Sequence, residues 1–167
     1  MRRLLDLGVD GIWLMPIHPA ASYHGYDVVD YRSINPDYGT MADFETFLSE
    51  AHARGIRVII DYVMNHCSDD HPWFALSESE DPFYRDFFTW SGYDPGGSGP
   101  WGQDVWHRDD SGWYYGLFWS GMPDLNYDTQ AVKDEMFVAE KGQGAWLNEG
   151  RMRVSDRSKM IESVFAT

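Results

Sequence analysis

The stretch Val58–His66, which reads VIIDYVMNH, decides the fold class of this chain. It opens with three consecutive β-branched residues, Val58–Ile60, and Gly55 stands just upstream. A short apolar run of this kind is typical of a strand that is buried on both faces of a parallel sheet. The stretch therefore predicts an α/β fold built around this strand.

Three polar residues, Asp61, Asn65 and His66, follow that run. In parallel α/β folds the C-terminal ends of the strands are where side chains meet a ligand. A carboxylate, an amide and an imidazole are costly to bury unless each finds a partner. The cluster therefore indicates either a ligand pocket or a set of satisfied polar groups in the core.

A second strand and a helix complete the local pattern. Val9–Met15 is apolar and is followed by a proline, which predicts another strand. Thr40, with Asp43 three residues later, forms a capping-box-like helix start, and Gly55 marks the helix end. The order strand, helix, strand is the βαβ unit of a parallel sheet, and the long loop 16–38 is expected to build one wall of a site.

Residues 67–121 differ in composition from the part before them. They contain Asp and Ser runs, many glycines and aromatic segments such as Trp113–Trp119, which together predict an irregular excursion with short strands. Aromatic rings can stack on sugars, but they also fill cores that have few aliphatic side chains. Both roles stay open for five tryptophans: Trp73, Trp90, Trp101, Trp106 and Trp119.

Composition restricts the class of partner. The chain has 167 residues, a formal net charge of −14 and an aromatic share of 16%. The acidic balance argues against nucleic acid and against an anionic membrane surface, whereas a neutral polysaccharide is compatible with it. Cys67 is the single cysteine, so an intrachain disulfide is excluded, and we expect it to be a small, partly buried residue.

Three segments in the same order resemble the α-amylase superfamily, glycoside hydrolase family 13. Tyr23–Tyr31 (YHGYDVVDY) is similar to the loop after barrel strand two, Asp61–His66 (DYVMNH) to the first conserved region, and Met122–Asn126 (MPDLN) to the fifth. The MPDLN form resembles bacterial α-amylases that lie between the oligo-1,6-glucosidase and neopullulanase groups. The resemblance runs from about Leu4 to about Met136.

The resemblance implies an α/β fold, a partial (β/α)8 TIM barrel that holds about strands 2 and 3 of the eight. It divides the chain into four parts: 1–66 as partial barrel, 67–121 as an inserted domain B with β structure, 122–136 as the return to a barrel helix, and 137–167 as an atypical tail. A shifted reading frame is one explanation for that tail. A piece of a barrel with open sheet edges is expected to be marginally stable alone.

The resemblance also implies roles for individual residues. Tyr26 matches a tyrosine that stacks under a glucosyl ring, and His66 matches a histidine that donates a hydrogen bond to the hydroxymethyl group of the same sugar. Asp61 matches a strand-end carboxylate with a structural and charge-network role. Asn65 matches a calcium ligand of many members that is only structural in others. Calcium is thus the one cofactor that the resemblance suggests, and no organic cofactor is expected.

The implied reaction is hydrolysis of α-1,4-glucosidic bonds in starch and maltooligosaccharides with retention, which requires a nucleophile and a general acid. Neither is assignable here. Asp156 in the segment 150–156 stands one residue out of place for the family's nucleophile, and one residue turns a strand side chain to the other face.

Two other functions stay open. An α-glucosidase or trehalose synthase-like member is disfavoured by Tyr23 and His24, which stand where such members carry Asp-Asn or Asp-Asp. A non-catalytic glucan-binding module would explain why the carboxylates are missing. The sequence leaves oligomeric state and compartment open. It shows no signal peptide, but the resemblance is compatible with a secreted or periplasmic parent protein.

Overall fold

The computed structural model describes residues 6–136, 138–140, 144–147 and 150–152. Its first elements are strand β1 (Gly11–Leu14), helix α1 (Met41–His52) and strand β2 (Arg57–Ile60). The two strands pair in parallel, with Gly11 opposite Arg57 and Leu14 opposite Ile60. The predicted strand–helix–strand order is therefore confirmed.

Local chemistry sets the limits of α1. The Thr40 side chain accepts a hydrogen bond from the backbone N–H of Asp43, and the Asp43 carboxylate accepts one from the backbone N–H of Thr40, so the predicted capping box is present. Gly55 follows the helix with a φ of +74°, a left-handed conformation that favours glycine. The cap and the glycine fix where the chain turns back into β2.

The prediction that β2 is buried on both faces is wrong for the described residues. Val58, Ile59 and Ile60 are only half-buried, and Trp13 on β1 is 67% exposed. The reason is the sheet itself, because within the described residues β1 and β2 pair only with each other. Their apolar side chains therefore lack the covering layer that a parallel sheet requires.

The excursion after β2 contains one helix that the sequence analysis missed and the short strands that it predicted. The helix α2 (Pro72–Glu78) starts with proline in its first turn, and the His71 ring nitrogen Nδ1 accepts a hydrogen bond from the backbone N–H of Trp73 at 3.1 Å. A 3-10 turn follows, and then a three-stranded antiparallel sheet in the order β3-β5-β4. Its bounds are Arg85–Phe87 for the turn, Trp90–Ser91 for β3, Trp106–Asp109 for β4 and Gly112–Tyr115 for β5.

The buried core joins this excursion to the segments on either side of it and is rich in aromatic rings. Phe74 contacts Phe88 and Tyr114 edge to face, with ring centroids about 5 Å apart, 5.1 and 4.9 Å respectively. Such edge contacts are the favoured geometry for aromatic pairs. The buried cluster has eleven members: Val28, Tyr31, Val63, Cys67, Phe74, Phe87, Phe88, Tyr114, Leu125, Val132 and Met136.

The last described elements are helix α3 (Gln130–Met136) and three short antiparallel strands that pair with one another: β6 (Val138–Glu140), β7 (Gly144–Leu147) and β8 (Gly150–Met152). Helix α3 lies within the segment 122–136, where the resemblance implies a helix. Asp156 lies outside the described residues, so its place relative to the site stays untested. Among the described helices, none combines the length and apolar character needed to cross a bilayer.

Candidate functional site

The residues after β2 are held in place by the MPDLN segment. The backbone N–H of Leu125 donates to the carbonyl oxygen of Asn65 at 2.9 Å, and the N–H of Cys67 donates to the carbonyl oxygen of Pro123 at 3.3 Å. His66 and Asp124 form an antiparallel bridge between them. Two motifs that are separated by more than fifty residues in sequence thus form one short ladder at the end of β2.

A cleft of about 440 Å³ opens beside this ladder. That volume lies within the usual range for small-molecule pockets. All four residues that the sequence predicted for the site contribute to its wall: Tyr26, Asp61, Asn65 and His66. The structure therefore brings together side chains from the long loop and from the strand end, and the rest of the lining is Tyr62, Val63, Met64, Phe118 and Tyr127.

Tyr26 and Asp61 form the polar pair of the cleft. The Tyr26 hydroxyl donates to Asp61 Oδ2 at 2.6 Å. This hydrogen bond, followed by burial, raises the pKa of Tyr26, because the carboxylate favours the protonated hydroxyl. The contact fixes the orientation of the Tyr26 ring in the cleft and gives Asp61 a partner.

His66 is the most deeply buried of the predicted site residues. Its side chain is 5% exposed, and burial lowers its pKa to about 4, although a backbone interaction with Tyr26 and the charge of Asp27 oppose that shift. The ring is therefore neutral at pH 7 and carries one N–H. The Nδ2 amide group of Asn65 lies 3.4 Å from His66 Nδ1, and since an amide N–H can only donate, this contact favours the tautomer that has the ring proton on Nε2.

This Nε2–H group has no hydrogen-bond partner within the described residues, although it is buried. An unpaired buried donor costs about 1–3 kcal/mol, so natural structures keep one only for a reason. The simple alternative, that His66 is a satisfied polar group of the core, does not account for the orphaned nitrogen. A ligand acceptor in the cleft would satisfy it.

The surroundings of Asn65 test whether calcium fits. Ca²⁺ takes about 6–8 oxygen ligands, several of them carboxylates. The Asn65 side chain contacts one carboxylate, that of Asp124, which is held by the backbone N–H of Leu117 and whose pKa is raised by burial. Among the described residues no group of three or more His, Cys, Asp and Glu side chains could hold a metal ion. These residues do not by themselves form a calcium site, and calcium stays a prediction from the resemblance.

Sequence reasoning missed five residues of the cleft wall: Tyr62, Val63 and Met64 lie within the DYVMNH motif itself, and Phe118 and Tyr127 come from other segments. Tyr127 donates its hydroxyl hydrogen to the carbonyl oxygen of Met64 at 2.5 Å, and Phe118 contacts the edge of the His66 ring with centroids 5.0 Å apart. Tyr127 directly follows the MPDLN segment, and Phe118 belongs to the aromatic run 113–119, so both stood beside signals already noted. The sequence alone does not show the hydrogen-bonded ladder between residues 65–67 and 123–125, which brings these two residues to the cleft.

The five candidate tryptophans divide between the core and the surface. Trp73 and Trp90 pack against the buried cluster, and Arg85 lies over the Trp90 ring at 4.0 Å. Trp101 and Trp119 are exposed, and Trp106 is half-buried. Cys67 is fully buried and burial raises its thiol pKa well above the ordinary value, so the thiolate is disfavoured.

Fold and cleft together define a class of protein, an α/β enzyme-type scaffold with a pocket at the end of a parallel strand. The sequence profile described as "Alpha amylase, catalytic domain" matches residues 2–153. The chain belongs to the α-amylase family. The match extends past Met136, where the recognisable motifs ended.

Individual relatives agree with this assignment. The chain is 44% identical over 164 residues to Alpha-amylase 3 of Dictyoglomus thermophilum, which covers 94% of this chain and 32% of that protein. It is 42% identical over 159 residues to a trehalose synthase of Pimelobacter, covering 86% and 26% respectively. The crystal structure of an α-amylase from H. orenii superposes with a TM-score of 0.71 at 53% identity, covering 77% of this chain and 27% of that one.

The solved structures that resemble this chain are TIM-barrel enzymes of the α-amylase family, so the predicted fold class, a partial (β/α)8 barrel, is confirmed. The chain spans about a third of the length of the first relative and about a quarter of the other two. The domain limits predicted at residues 66, 121 and 136 stay predictions.

Proposed function

We propose that the protein carrying this chain is an α-amylase-type retaining glycoside hydrolase that cleaves α-1,4-glucosidic bonds in starch and maltooligosaccharides. The observation that carries the proposal is the cleft that Tyr26, Asp61 and His66 line together, in which His66 Nε2 is buried without a hydrogen-bond partner among the described residues. A neutral sugar offers hydroxyl oxygens as acceptors and an apolar ring face. The net charge of −14 is compatible with such an uncharged substrate.

Each of the three residues has a positioning role in this proposal. The Tyr26 ring supplies a flat face for a glucosyl unit, since aromatic rings combine large apolar area with a polar tip. Asp61 keeps that ring oriented through the 2.6 Å hydrogen bond. His66, neutral and buried, donates from Nε2 to a hydroxyl oxygen of the same sugar.

Cleavage with retention requires two carboxyl groups about 5–5.5 Å apart on either side of the scissile bond. We assign neither of them in this chain. The part described here holds the substrate and shields one side of it from water, which lets remote binding contacts orient the bond that reacts. Calcium has no step in this scheme, and a calcium titration followed by thermal denaturation tests the role predicted for Asn65.

Binding of maltotriose to the 167-residue chain, measured by calorimetry, tests the positioning roles. We expect His66→Ala to weaken binding about tenfold, which corresponds to the loss of one buried hydrogen bond. His52→Ala, at an exposed histidine of α1, is the matched control and is expected to change nothing. Equal affinity for wild type and His66→Ala would remove His66 from the site.

The reaction itself is tested on the longer protein that carries this chain, by following the products from soluble starch and from maltose by NMR. An α-amylase releases maltooligosaccharides from starch with the α-anomer first, whereas an α-glucosidase releases glucose from maltose and a trehalose synthase converts maltose to trehalose. The alternative function, that of an α-glucosidase or trehalose synthase-like member, has support from the Pimelobacter trehalose synthase. Sugar binding without any product would favour the third function, a non-catalytic glucan-binding module.

A further inference from the structure

A row of aromatic rings leads out of the cleft. His66 contacts Phe118 edge to face at 5.0 Å, and Phe118 stacks on Trp101 with centroids 5.7 Å apart and an interplanar angle of 28°. Exposure rises along the row, from 5% for His66 to 41% for Phe118 and 70% for Trp101. Phe118 lines the cleft, and Trp101 lies one ring farther out.

The loop that carries Trp101 is hydrogen-bonded to Leu117, the residue that precedes Phe118, through the side chain of Gln103. The Gln103 side chain makes two hydrogen bonds: its Oε1 accepts from the backbone N–H of Trp101 at 2.9 Å, and its Nε2 donates to the carbonyl oxygen of Leu117 at 2.8 Å. The backbone N–H of Gly99 also donates to the carbonyl oxygen of Gln103 at 2.8 Å. Trp101 is therefore held beside Phe118 by polar contacts as well as by stacking.

We propose that Trp101 and Phe118 form a platform for a further glucosyl unit of an α-glucan chain, next to the unit held by Tyr26 and His66. The inference rests on the proposed function and adds chain-length preference to it, because the platform increases the affinity for oligosaccharides relative to disaccharides. The exposed area of these two rings suits the apolar face of a sugar ring. The continuity of the row with the cleft places this unit on the same ligand.

A purely structural role for Trp101 explains the arrangement less well. At 70% exposure the indole buries little area, so it contributes little to the core, and its loop is already held by Gln103. Trp119 provides a contrast in the same excursion. It is also exposed, but its ring lies against Gly121, where an added Cβ would come within 2.5 Å of it.

The test compares maltose with maltohexaose, titrated calorimetrically into the 167-residue chain. Wild type is expected to bind maltohexaose more tightly. Trp101→Ala should weaken maltohexaose binding about five- to tenfold and leave maltose binding within about twofold of wild type. Trp119→Ala is the matched control and should leave both affinities unchanged.

A second variant tests the hydrogen bonds of Gln103 that hold the Trp101 loop, without removing the indole ring. A Cβ on Gly99 would lie 2.1 Å from Gln103 Nε2, so Gly99→Ala should displace the amide and release the Trp101 loop. We expect a smaller loss, about two- to fourfold, again for maltohexaose alone.

The outcomes separate this inference from the function beneath it. If Trp101→Ala changes maltohexaose binding no more than Trp119→Ala does, or weakens both sugars equally, the platform is wrong while the cleft stands. If the wild-type chain binds neither sugar, both the proposed function and the platform fail.

Discussion

The strand–helix–strand part and the excursion that follows it differ in how they bury apolar surface. In β1, α1 and β2 the main buried residue is Ala51, and Trp13 is largely exposed. In the excursion Phe87 and Phe88 are almost fully buried within a cluster of rings. The first part therefore has an open apolar face, whereas the excursion closes a core that it shares with the long loop 16–38 and with residues 122–136.

This difference explains how the site is organised. The strand end supplies the polar residues, and the MPDLN segment holds them through the ladder between residues 65–67 and 123–125. A parallel sheet with two strands is an incomplete layer, and full barrels of this type use about 250 residues. The cleft thus depends on the MPDLN segment as well as on the strand whose end carries its residues.

The largest expected effect comes from comparing one core residue with one surface residue of the two parts. Phe87→Ala in the excursion should lower the free energy of unfolding by about 3–5 kcal/mol, because it leaves a cavity in a packed core. Trp13→Ala on β1 should change it by less than about 0.5 kcal/mol. Urea denaturation followed by circular dichroism measures both, and equal losses would contradict the proposed division.

Acidification should also lower the stability of the folded chain, through His71 in the excursion and His66 beside it. Burial lowers the pKa of His66 and of His71 to about 4, from an ordinary value of 6.5. The unfolded chain takes up protons below about pH 6.5, while the folded chain does so only near pH 4, so stability is lost as the pH falls through this window and levels off below it.

The loss amounts to about 3 kcal/mol at most for each histidine. Urea midpoints measured from pH 7 to pH 4 check it. His71→Gln should reduce the pH slope, whereas His52→Gln, an exposed position on α1, should keep the wild-type slope. A slope that is identical in all three proteins would show that the buried imidazoles are not its origin.

The smallest effect sharpens the link between the long loop and the strand end. Tyr26→Phe removes the hydrogen bond to Asp61 and keeps the ring, so we expect a loss of about 1.5 kcal/mol in the free energy of unfolding. Maltotriose affinity should change less than about twofold, because the stacking face remains. A large loss of affinity with unchanged stability would instead make the hydroxyl a direct sugar contact.

Much of the architecture was predictable because its signals are local. The β-branched run, the Thr40–Asp43 capping box and Gly55 each specify backbone geometry within a few residues. The helix α2 was missed because its start depends on His71 as the cap, a residue with weak helix-start preference. The burial of β2 was wrong because burial depends on neighbouring layers and not on the strand's own composition.

The sequence by itself determined the family and the parallel strand–helix–strand unit, and it predicted Tyr26, Asp61, Asn65 and His66 as site residues, since ordered motifs and side-chain chemistry can be recognised without coordinates. Only the tertiary structure decided that these four share one cleft, that Phe118 and Tyr127 join them, and that Nε2 of His66 finds no partner in the described part of the chain. The physical reason is that hydrogen-bond partners and burial arise from contacts between distant segments. Spacing along the chain does not encode those contacts.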